Sequence, residues 1–255
     1  MPGHERPRAH RPVLTTTVRR DPADAALAEG EIEILGLLPR SSNYTFLARA
    51  KAGDEVTLVV YKPRRGEVPL WDFPEGTLCQ REVAAYVVSR ALGWPDVPPT
   101  VLRDGPEGEG SVQLFVEFDP KQHYFTMAEH RADEFRRVAA FDLIVNNADR
   151  KSGHCLCSTD DRRVFVVDHG VSFSIEPKLR TVIWEFAGEP IPDELRQAAD
   201  ALAGGLRAAG PLRDELDPLL SPDEIEATAQ RAEAVAGTER YPHPAGERPY
   251  PWPPV

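Results

Sequence analysis

Two aspartates, Asp149 and Asp168, lie in the segments NNADRKSGH and VVDHG, each directly after an apolar run. The stretch from Cys155 to Asp168, with polar residues at 159–161, predicts a short hairpin that brings both carboxylates to the same end. Phosphoryl transfer uses such a pair, with one carboxylate for the attacking hydroxyl and one for the metal. We therefore predict that Asp149 orients or accepts the proton of a hydroxyl and that Asp168 binds a divalent cation.

A lysine and a glutamate upstream fit the same chemistry. Lys62 ends the apolar run EVTLVVYK, and Glu82 lies one turn into a predicted helix. In kinases, a strand lysine held by a helix glutamate directs a positive charge at the α- and β-phosphates of ATP. For this pair alone a surface ion pair is the more ordinary explanation, and an aspartate that begins a loop is commonly a turn residue. The combination of the four residues favours an ATP site.

The loop RSSNY, at residues 40–44, lies between the first two predicted strands. It is not rich in glycine, so a phosphate would be held by backbone N–H groups together with the side chains of Ser41, Ser42 and Asn43. Serine and asparagine are also frequent in ordinary turns. The loop is therefore a candidate phosphate cradle or a simple turn.

Composition narrows the classes of partner. The 255 residues carry a net charge of −11, and residues 1–20 hold five arginines against one glutamate, so the remainder is near −15. This acidity argues against nucleic acid or an anionic membrane as the main partner and favours small molecules or proteins. Three cysteines fit a reducing compartment. The sequence shows no membrane span and no secretory signal, so we expect a cytoplasmic protein without a stable membrane anchor.

The elements that position these residues change in type along the chain. The first part predicts strands, a helix from Thr77 to about Leu92 with a Thr77–Gln80 capping box and Gly93 at its end, and a further hairpin. The strands are expected at 31–38, 44–50, 55–62, 100–104 and 111–118. The second part is mostly helical, with helices expected at 132–146, 193–208 and 222–236.

This order predicts an α+β fold with two lobes. The N-lobe is expected over 29–118 and the C-lobe over 119–240, with the join near Phe118. The basic, proline-rich segment 1–28 and the proline-rich segment 241–255 are expected to be tails without packed structure of their own. Within the second tail, the rings of Tyr250 and Trp252 are candidates to dock on the core.

Four segments, in order, resemble the phosphatidylinositol 3- and 4-kinase-like superfamily, and the chain is most similar to the type II phosphatidylinositol 4-kinases. They are YKP, GTLCQREVAAYVVSRALG running on to VPPTVL, GSVQLFVEF, and the pair NNADRKSGH and VVDHG. The resemblance covers about residues 40–175. It implies a bilobal protein-kinase-like fold, with an antiparallel β N-lobe carrying one helix, a mainly helical C-lobe, and ATP bound under the N-terminal sheet.

The resemblance also assigns roles to individual residues. It implies that Lys62, held by Glu82, contacts the phosphates and that the hinge at 115–118, with Glu117 and Phe118, contacts adenine. It further implies that Asp149 is the catalytic acid or base and that Asp168 is a metal ligand.

One position departs from the family pattern D-R-x-x-x-N, whose asparagine ligates the metal. Here the sixth residue is His154. Magnesium prefers hard oxygen ligands, so His154 is expected to weaken Mg²⁺ binding or favour Mn²⁺. Alternatively, His154 is structural and hydrogen-bonds a phosphate or Asp168. A zinc site with Cys155 and Cys157 is disfavoured because no second ligand pair completes it.

The sequence thus predicts an ATP-dependent phosphotransferase that uses Mg²⁺ or Mn²⁺ and acts on a hydroxyl of a soluble small molecule or protein. An inositol lipid is the less favoured acceptor, because the segment between Lys62 and Glu82 lacks the cysteine-rich, membrane-anchoring insertion of the type II lipid kinases. Two alternatives remain open, a kinase-like nucleotide-binding regulatory module (a pseudokinase) and an adenylyltransferase. The sequence does not give the acceptor or the oligomeric state.

Overall fold

The computed structural model describes residues 22–39, 43–246 and 248–255. Its first half forms a five-stranded antiparallel sheet with the strand order β1-β2-β3-β5-β4. The strands are β1 Glu31–Leu37, β2 Phe46–Ala52, β3 Glu55–Pro63, β4 Thr100–Gly105 and β5 Gly108–Leu114. The predicted strands 31–38, 44–50 and 55–62 correspond to the first three within two residues at each end.

The two faces of this sheet have different partners. Because side chains alternate along a strand, Tyr61 and Val59 of β3 point to one face, where they join the buried cluster that includes Leu27. Lys62 and Val60 point to the opposite face. The sheet therefore buries one face in its own core and presents Lys62 on the other.

A helix, α1 (Pro22–Glu29), covers the buried face of the sheet. Ala26 and Leu27 are buried, and the guanidinium of Arg103 donates hydrogen bonds to the carbonyl oxygens of Leu27 at 3.1 Å and Gly30 at 2.7 Å. The prediction that residues 1–28 lack packed structure is therefore wrong from Pro22 onward. The proline and arginine content of residues 1–28 suggested an unpacked segment. The helix is short and alanine-rich, and Leu27 is its one large apolar residue, so its sequence carries little indication of packing.

The N-lobe helix that carries Glu82 is α2 (Leu78–Leu92). The predicted capping box is absent, since the Thr77 hydroxyl donates to the carbonyl oxygen of Pro74 at 2.7 Å. Instead, Glu67 accepts hydrogen bonds from the backbone N–H groups of Leu78 at 3.1 Å and Cys79 at 2.8 Å, so a carboxylate eleven residues before the helix satisfies its free donors. Gly93 ends the helix with a φ of 76°, as predicted.

The connection between the lobes begins earlier than predicted, because β5 ends at Leu114 and not at residue 118. From there the chain is fixed to the C-lobe by backbone hydrogen bonds. The N–H of Thr159 donates to the carbonyl oxygen of Glu117 at 2.9 Å, and the N–H of Asp119 donates to that of Cys157 at 3.3 Å. Residues 115–119 therefore form a hinge that is held against the C-lobe.

The C-lobe is mainly helical, as predicted. Its helices are α3 Tyr124–Met127, α4 Ala132–Val145, α5 Asp193–Arg207, α6 Pro211–Leu216 and α7 Pro222–Gly237. A two-stranded hairpin follows α4, with β6 Cys155–Cys157 and β7 Val164–Val166. Helices α5 and α7 pack against each other, and one apolar core joins the helices to the hairpin. No described helix is long and apolar enough to cross a membrane.

The last described residues, 248–255, form an irregular segment that we call the C-terminal strap. The carbonyl oxygen of Pro249 accepts hydrogen bonds from the N–H of Thr181 at 3.0 Å and from Nε1 of Trp184 at 3.1 Å, and the carbonyl oxygen of Pro254 accepts one from the N–H of Ser152 at 2.9 Å. The rings of Tyr250 and Trp252 are 53% and 88% exposed. The strap therefore docks through its backbone and not through these rings, contrary to the prediction.

Candidate active site

Three of the predicted charged residues meet between the lobes. Nζ of Lys62 lies 2.5 Å from Oε1 of Glu82 and 2.9 Å from Oδ1 of Asp168. The second carboxylate oxygen of Glu82 accepts a hydrogen bond from the backbone N–H of His169 at 2.9 Å. Strand β3, helix α2 and the segment after β7 thus each contribute one charge to a single cluster.

The electrostatics of this cluster keep Lys62 and Asp168 ionised. Burial by itself lowers the pKa of Lys62, but Asp168 and Glu82 outweigh burial and raise that pKa above its ordinary value. The charge of Lys62 in turn holds the pKa of Asp168 far below the usual range of a carboxyl. The site therefore presents a fixed ammonium group beside a fixed carboxylate.

Asp149 lies in the loop after α4, and its surroundings are different. Its Oδ2 atom lies 3.0 Å from Nζ of Lys151, and its side chain is 32% exposed. Its backbone N–H donates to Oδ1 of Asn147 at 2.9 Å. Burial raises the pKa of Asp149, and the neighbouring Lys151 opposes this effect. A partly exposed carboxylate with a raised pKa suits a group that accepts a proton from a hydroxyl.

The loop that carries Asp149 stands on a buried ion pair that the sequence analysis missed. Nη2 of Arg150 lies 2.9 Å from Oδ1 of Asp142, and Nε of Arg150 lies 3.0 Å from Oδ2. Both side chains are fully buried, and Nη1 of Arg150 donates to the carbonyl oxygen of Val167 at 3.0 Å. The pair therefore fixes the segments that lead to Asp149 and to Asp168. A signal was available, because Asp142 is a charged residue on the apolar face of α4, four residues after Val138.

His154 lies beside Asp168, a position that fits both predictions for it, as a metal ligand or as a structural residue. Its Nε2 atom lies 3.2 Å from Oδ2 of Asp168, and its Nδ1 atom accepts a hydrogen bond from the N–H of Lys151 at 3.4 Å. This network assigns the ring proton to Nε2. Burial lowers the pKa of His154 to about 4, so the ring is neutral at physiological pH.

Asp168 and His154 are the groups that fit a divalent cation. Among residues 22–39, 43–246 and 248–255, no cluster of three or more His, Cys, Asp or Glu side chains has the geometry of a metal site. Magnesium in nucleotide sites is held by one or two protein ligands and completed by phosphate oxygens and water. The two-residue donor set therefore fits a cation that arrives with a nucleotide and does not fit a closed structural metal site.

Of the remaining predicted residues, the structure describes Asn43, Glu117 and Phe118. Ser41 and Ser42 fall outside the described residues. Oδ1 of Asn43 accepts a hydrogen bond from the N–H of Val68 at 2.8 Å, which ties the β1–β2 loop to the segment after β3. Glu117 is exposed and its carbonyl oxygen is bonded to Thr159, while Phe118 forms an isolated antiparallel bridge with Ser158.

Comparisons with known proteins agree with a kinase-like fold. No protein-family model matches the chain. The sequence is 31% identical over 114 residues to "Phosphatidylinositol 4-kinase gamma 4" of Oryza sativa subsp. japonica, a match that covers 38% of this chain and 20% of that protein. The crystal structure of the Helicobacter pylori proinflammatory kinase CtkA superposes with a TM-score of 0.50 at 12% identity, covering 83% of this chain and 93% of that one.

A longer match defines the family. The chain is 41% identical over 269 aligned positions to Protein Rv2133c of Mycobacterium tuberculosis, and the match covers 92% of this chain and 96% of that protein. Identity at this level over nearly the whole of both chains shows common ancestry and a common fold. The protein therefore belongs to the family of the mycobacterial protein Rv2133c, and its architecture is an α+β, bilobal, kinase-like fold.

Proposed function

We propose that the protein is an ATP-dependent phosphotransferase that acts on a hydroxyl group of a soluble small molecule or protein. The observation that carries the proposal is the meeting of Lys62, Glu82 and Asp168 within hydrogen-bonding distance. A strand lysine held by a helix glutamate, next to an aspartate that leaves a buried strand, is the arrangement that kinases use for the phosphates of ATP.

The nucleotide would lie against the sheet face that carries Lys62. Val60 and Leu58 share this face by strand alternation, and Leu47 of β2 pairs with Val60. Leu58 is partly exposed, so an apolar surface is open next to the ammonium group. Adenine would stack there, near the hinge residues Glu117 and Phe118, and Lys62 would bind the α- and β-phosphates. Ser41, Ser42 and Asn43 remain candidates to contact the phosphates as well.

Asp168, assisted by His154, would hold Mg²⁺ or Mn²⁺. When bound, the cation neutralises charge that develops on the phosphate oxygens. Asp149 would orient the acceptor hydroxyl and take up its proton as the oxygen attacks the γ-phosphorus. A bond forms between the acceptor oxygen and the γ-phosphorus, the bond from that phosphorus to the bridging oxygen breaks, and ADP leaves.

We further propose that the family is a branch of the phosphatidylinositol 3- and 4-kinase-like superfamily, related to the type II phosphatidylinositol 4-kinases. The partial match to the rice phosphatidylinositol 4-kinase supports this relation. Residues 63–77, between Lys62 and the start of α2, fold into a short turn at 64–66 and a loop over 67–77, and contain no cysteine. This supports a soluble acceptor over an inositol lipid, and cytoplasmic action.

One observation favours a second candidate, a kinase-like regulatory module that binds nucleotide without turnover. His154 occupies the position of the family asparagine, and its Nε2 atom lies 3.2 Å from Oδ2 of Asp168. Such a contact competes with a cation for the carboxylate.

The two candidates are distinguished by incubating the purified protein with cell extract as a source of acceptors and with ATP labelled in the γ- or the α-phosphate. We expect transfer of the γ-label, and its loss in Asp149→Ala and Asp168→Ala. Transfer of the α-label would assign adenylyl transfer. Nucleotide binding without transfer of either label would assign the regulatory module. A γ-signal that survives both substitutions would contradict the proposed site.

A further inference from the structure

We propose that Arg81 is a positioning residue that fixes helix α2 to the C-lobe, so that Lys62, Glu82 and Asp168 are assembled before ATP binds. The inference rests on the proposed function and deepens it, because it states how the phosphate-binding cluster is held. It assigns a role to the arginine that directly precedes Glu82 in the sequence.

Arg81 belongs to the N-lobe helix, but its guanidinium also contacts two residues of the C-lobe, Glu224 and Ser172. Its side chain is almost completely buried and forms an ion pair with Glu224 at the start of α7. Nη1 donates to the carbonyl oxygen of Ser172 at 2.6 Å, and the guanidinium lies 5.1 Å from the ring centroid of Phe73. A fixed guanidinium with several directional donors can hold two separate segments in one geometry.

Glu224 also belongs to the capping box of α7. Its side chain accepts a hydrogen bond from the N–H of Ser221 at 2.8 Å, while its own N–H donates to the Ser221 hydroxyl at 3.3 Å. The carboxylate that anchors Arg81 is thus held at a helix start. The anchor belongs to a rigid element and not to a free surface side chain.

The segment that Arg81 contacts is strained at both ends. Asp168 and Phe173 have φ values of 63° and 65°, in the left-handed region that costs residues with a side chain of the order of 1 kcal/mol or more. Such conformations persist only where their surroundings determine them. Helix α2 supplies two of these restraints. Glu82 accepts a hydrogen bond from the N–H of His169, and Arg81 donates one to the carbonyl oxygen of Ser172.

Two neighbouring residues of α2 therefore bond to the segment 169–172, which directly follows the proposed metal ligand. Glu82 also binds Lys62, so a displacement of α2 would separate the ammonium from both of its carboxylates. The anchoring of Arg81 to Glu224 opposes that displacement. The pair thus links a contact in the C-lobe to the geometry of the phosphate site.

Two helix arginines allow a matched experiment. Arg90 lies on the same helix and pairs with Glu215 of α6, also in the C-lobe, but these side chains are 51% and 44% exposed. Calorimetry on the full chain measures the affinities for ATP and for adenosine in the presence of Mn²⁺, well below the melting temperature of each variant. The ratio of the two affinities reports phosphate recognition and is insensitive to a general loss of stability.

The ratio is expected to fall at least about tenfold in Arg81→Met, the usual cost of removing a residue that orients a ligand-binding group, and to stay unchanged in Arg90→Met. The double variant Arg81→Met/Glu224→Leu leaves no unpaired buried charge, so it should regain stability but not the ratio. Glu224→Gln keeps an acceptor of the same size, so it should give an intermediate ratio.

The outcomes separate the two proposals. If the wild-type protein binds ATP no better than adenosine, the proposed ATP site is wrong. If the wild-type protein prefers ATP, Lys62→Met loses the preference, and the Arg81 variants keep it, the positioning role of Arg81 is overturned. Recovery of the ratio in the double variant would also overturn it, because the effect of Arg81→Met would then come from an unpaired buried carboxylate alone.

Discussion

Asp149 and Asp168 lie close enough for their charges to interact, but their carboxylates have opposite surroundings. Asp168 bonds to Lys62 and His154, and the charge of Lys62 lowers its pKa. Asp149 has one charged neighbour within ion-pair distance, Lys151, and burial raises its pKa. One acid belongs to a network that spans both lobes, whereas the other lies in a loop of the C-lobe.

In the proposed function, this difference divides two tasks between the two acids. The phosphate side is assembled from three elements and needs no rearrangement to present its charges. The hydroxyl side offers one carboxylate with a raised pKa and a partly exposed surface. The fixed geometry of Lys62, Glu82 and Asp168 would therefore set the position of the nucleotide phosphates, whereas the position of the acceptor hydroxyl would be less restricted.

The largest expected effect comes from breaking the buried Asp142–Arg150 ion pair, which fixes the segments that lead to both aspartates. Asp142→Ala leaves the buried guanidinium of Arg150 without its carboxylate, so the free energy of unfolding should fall by about 3–5 kcal/mol. Urea denaturation followed by circular dichroism measures it. The matched control is Asp161→Ala, which removes the exposed partner of Arg163 and should change the free energy by less than ~1 kcal/mol. Equal losses in the two variants would contradict the role of the buried pair.

A smaller effect separates the two acids by ligand binding. With ATP and Mn²⁺ at about 100 times the dissociation constant, the wild-type protein should gain ~2.7 kcal/mol of stability. Asp168→Asn should lose most of this gain because it removes the charged metal ligand, whereas Asp149→Asn should keep it. Thermal-shift titration measures both variants. A loss of the same size in Asp149→Asn would show that the two sides of the site are not separate.

The next effect concerns the choice of metal. His154→Asn replaces an imidazole by a hard oxygen ligand, so the Mg²⁺ concentration that supports half-maximal ATP binding should fall by about tenfold relative to that of Mn²⁺. Parallel titrations with the two cations measure the change. An unchanged preference would indicate that His154 only hydrogen-bonds Asp168.

The smallest expected effect is a gain in stability, in Asp149→Asn. The pKa of Asp149 is raised in the folded protein, so the ionised carboxylate opposes folding above that pKa, and the opposition disappears as the pH falls through it. Asn at position 149 removes this cost at neutral pH. Asp149→Asn should therefore raise Tm slightly, and thermal unfolding followed by circular dichroism measures the change. The gain should vanish at a pH well below the folded pKa, and a gain that is independent of pH would contradict this cause.

The sequence predicted the elements whose signals are local. The strands around Lys62, the helix that carries Glu82 and the helix predicted at 222–236 were all found near their predicted positions. Periodicity and capping residues act over a few positions, so they can be recognised without knowledge of the fold. The order of the chemically active residues then placed Lys62, Glu82 and Asp168 correctly in one cluster.

The missed features are those that depend on distant partners. The Glu67 carboxylate caps α2 from eleven residues away, and Arg81 pairs with Glu224 across 143 residues. The spacing of residues along the sequence predicts neither contact, because a charged arginine or glutamate side chain is usually solvated. Asp142 was also missed, although the sequence did carry a signal, because a charge on the apolar face of a helix requires a buried partner.

The hydrogen bond from Ser152 to the C-terminal strap has a consequence for the order in which the protein acquires its final form. The acceptor, Pro254, follows Ser152 by 102 residues. Because a ribosome makes the chain from its N-terminus, the loop that carries Asp149 is complete long before the acceptor exists. A nascent or prematurely terminated chain would contain all the charged residues of the site, with one backbone donor of that loop still bonded to water.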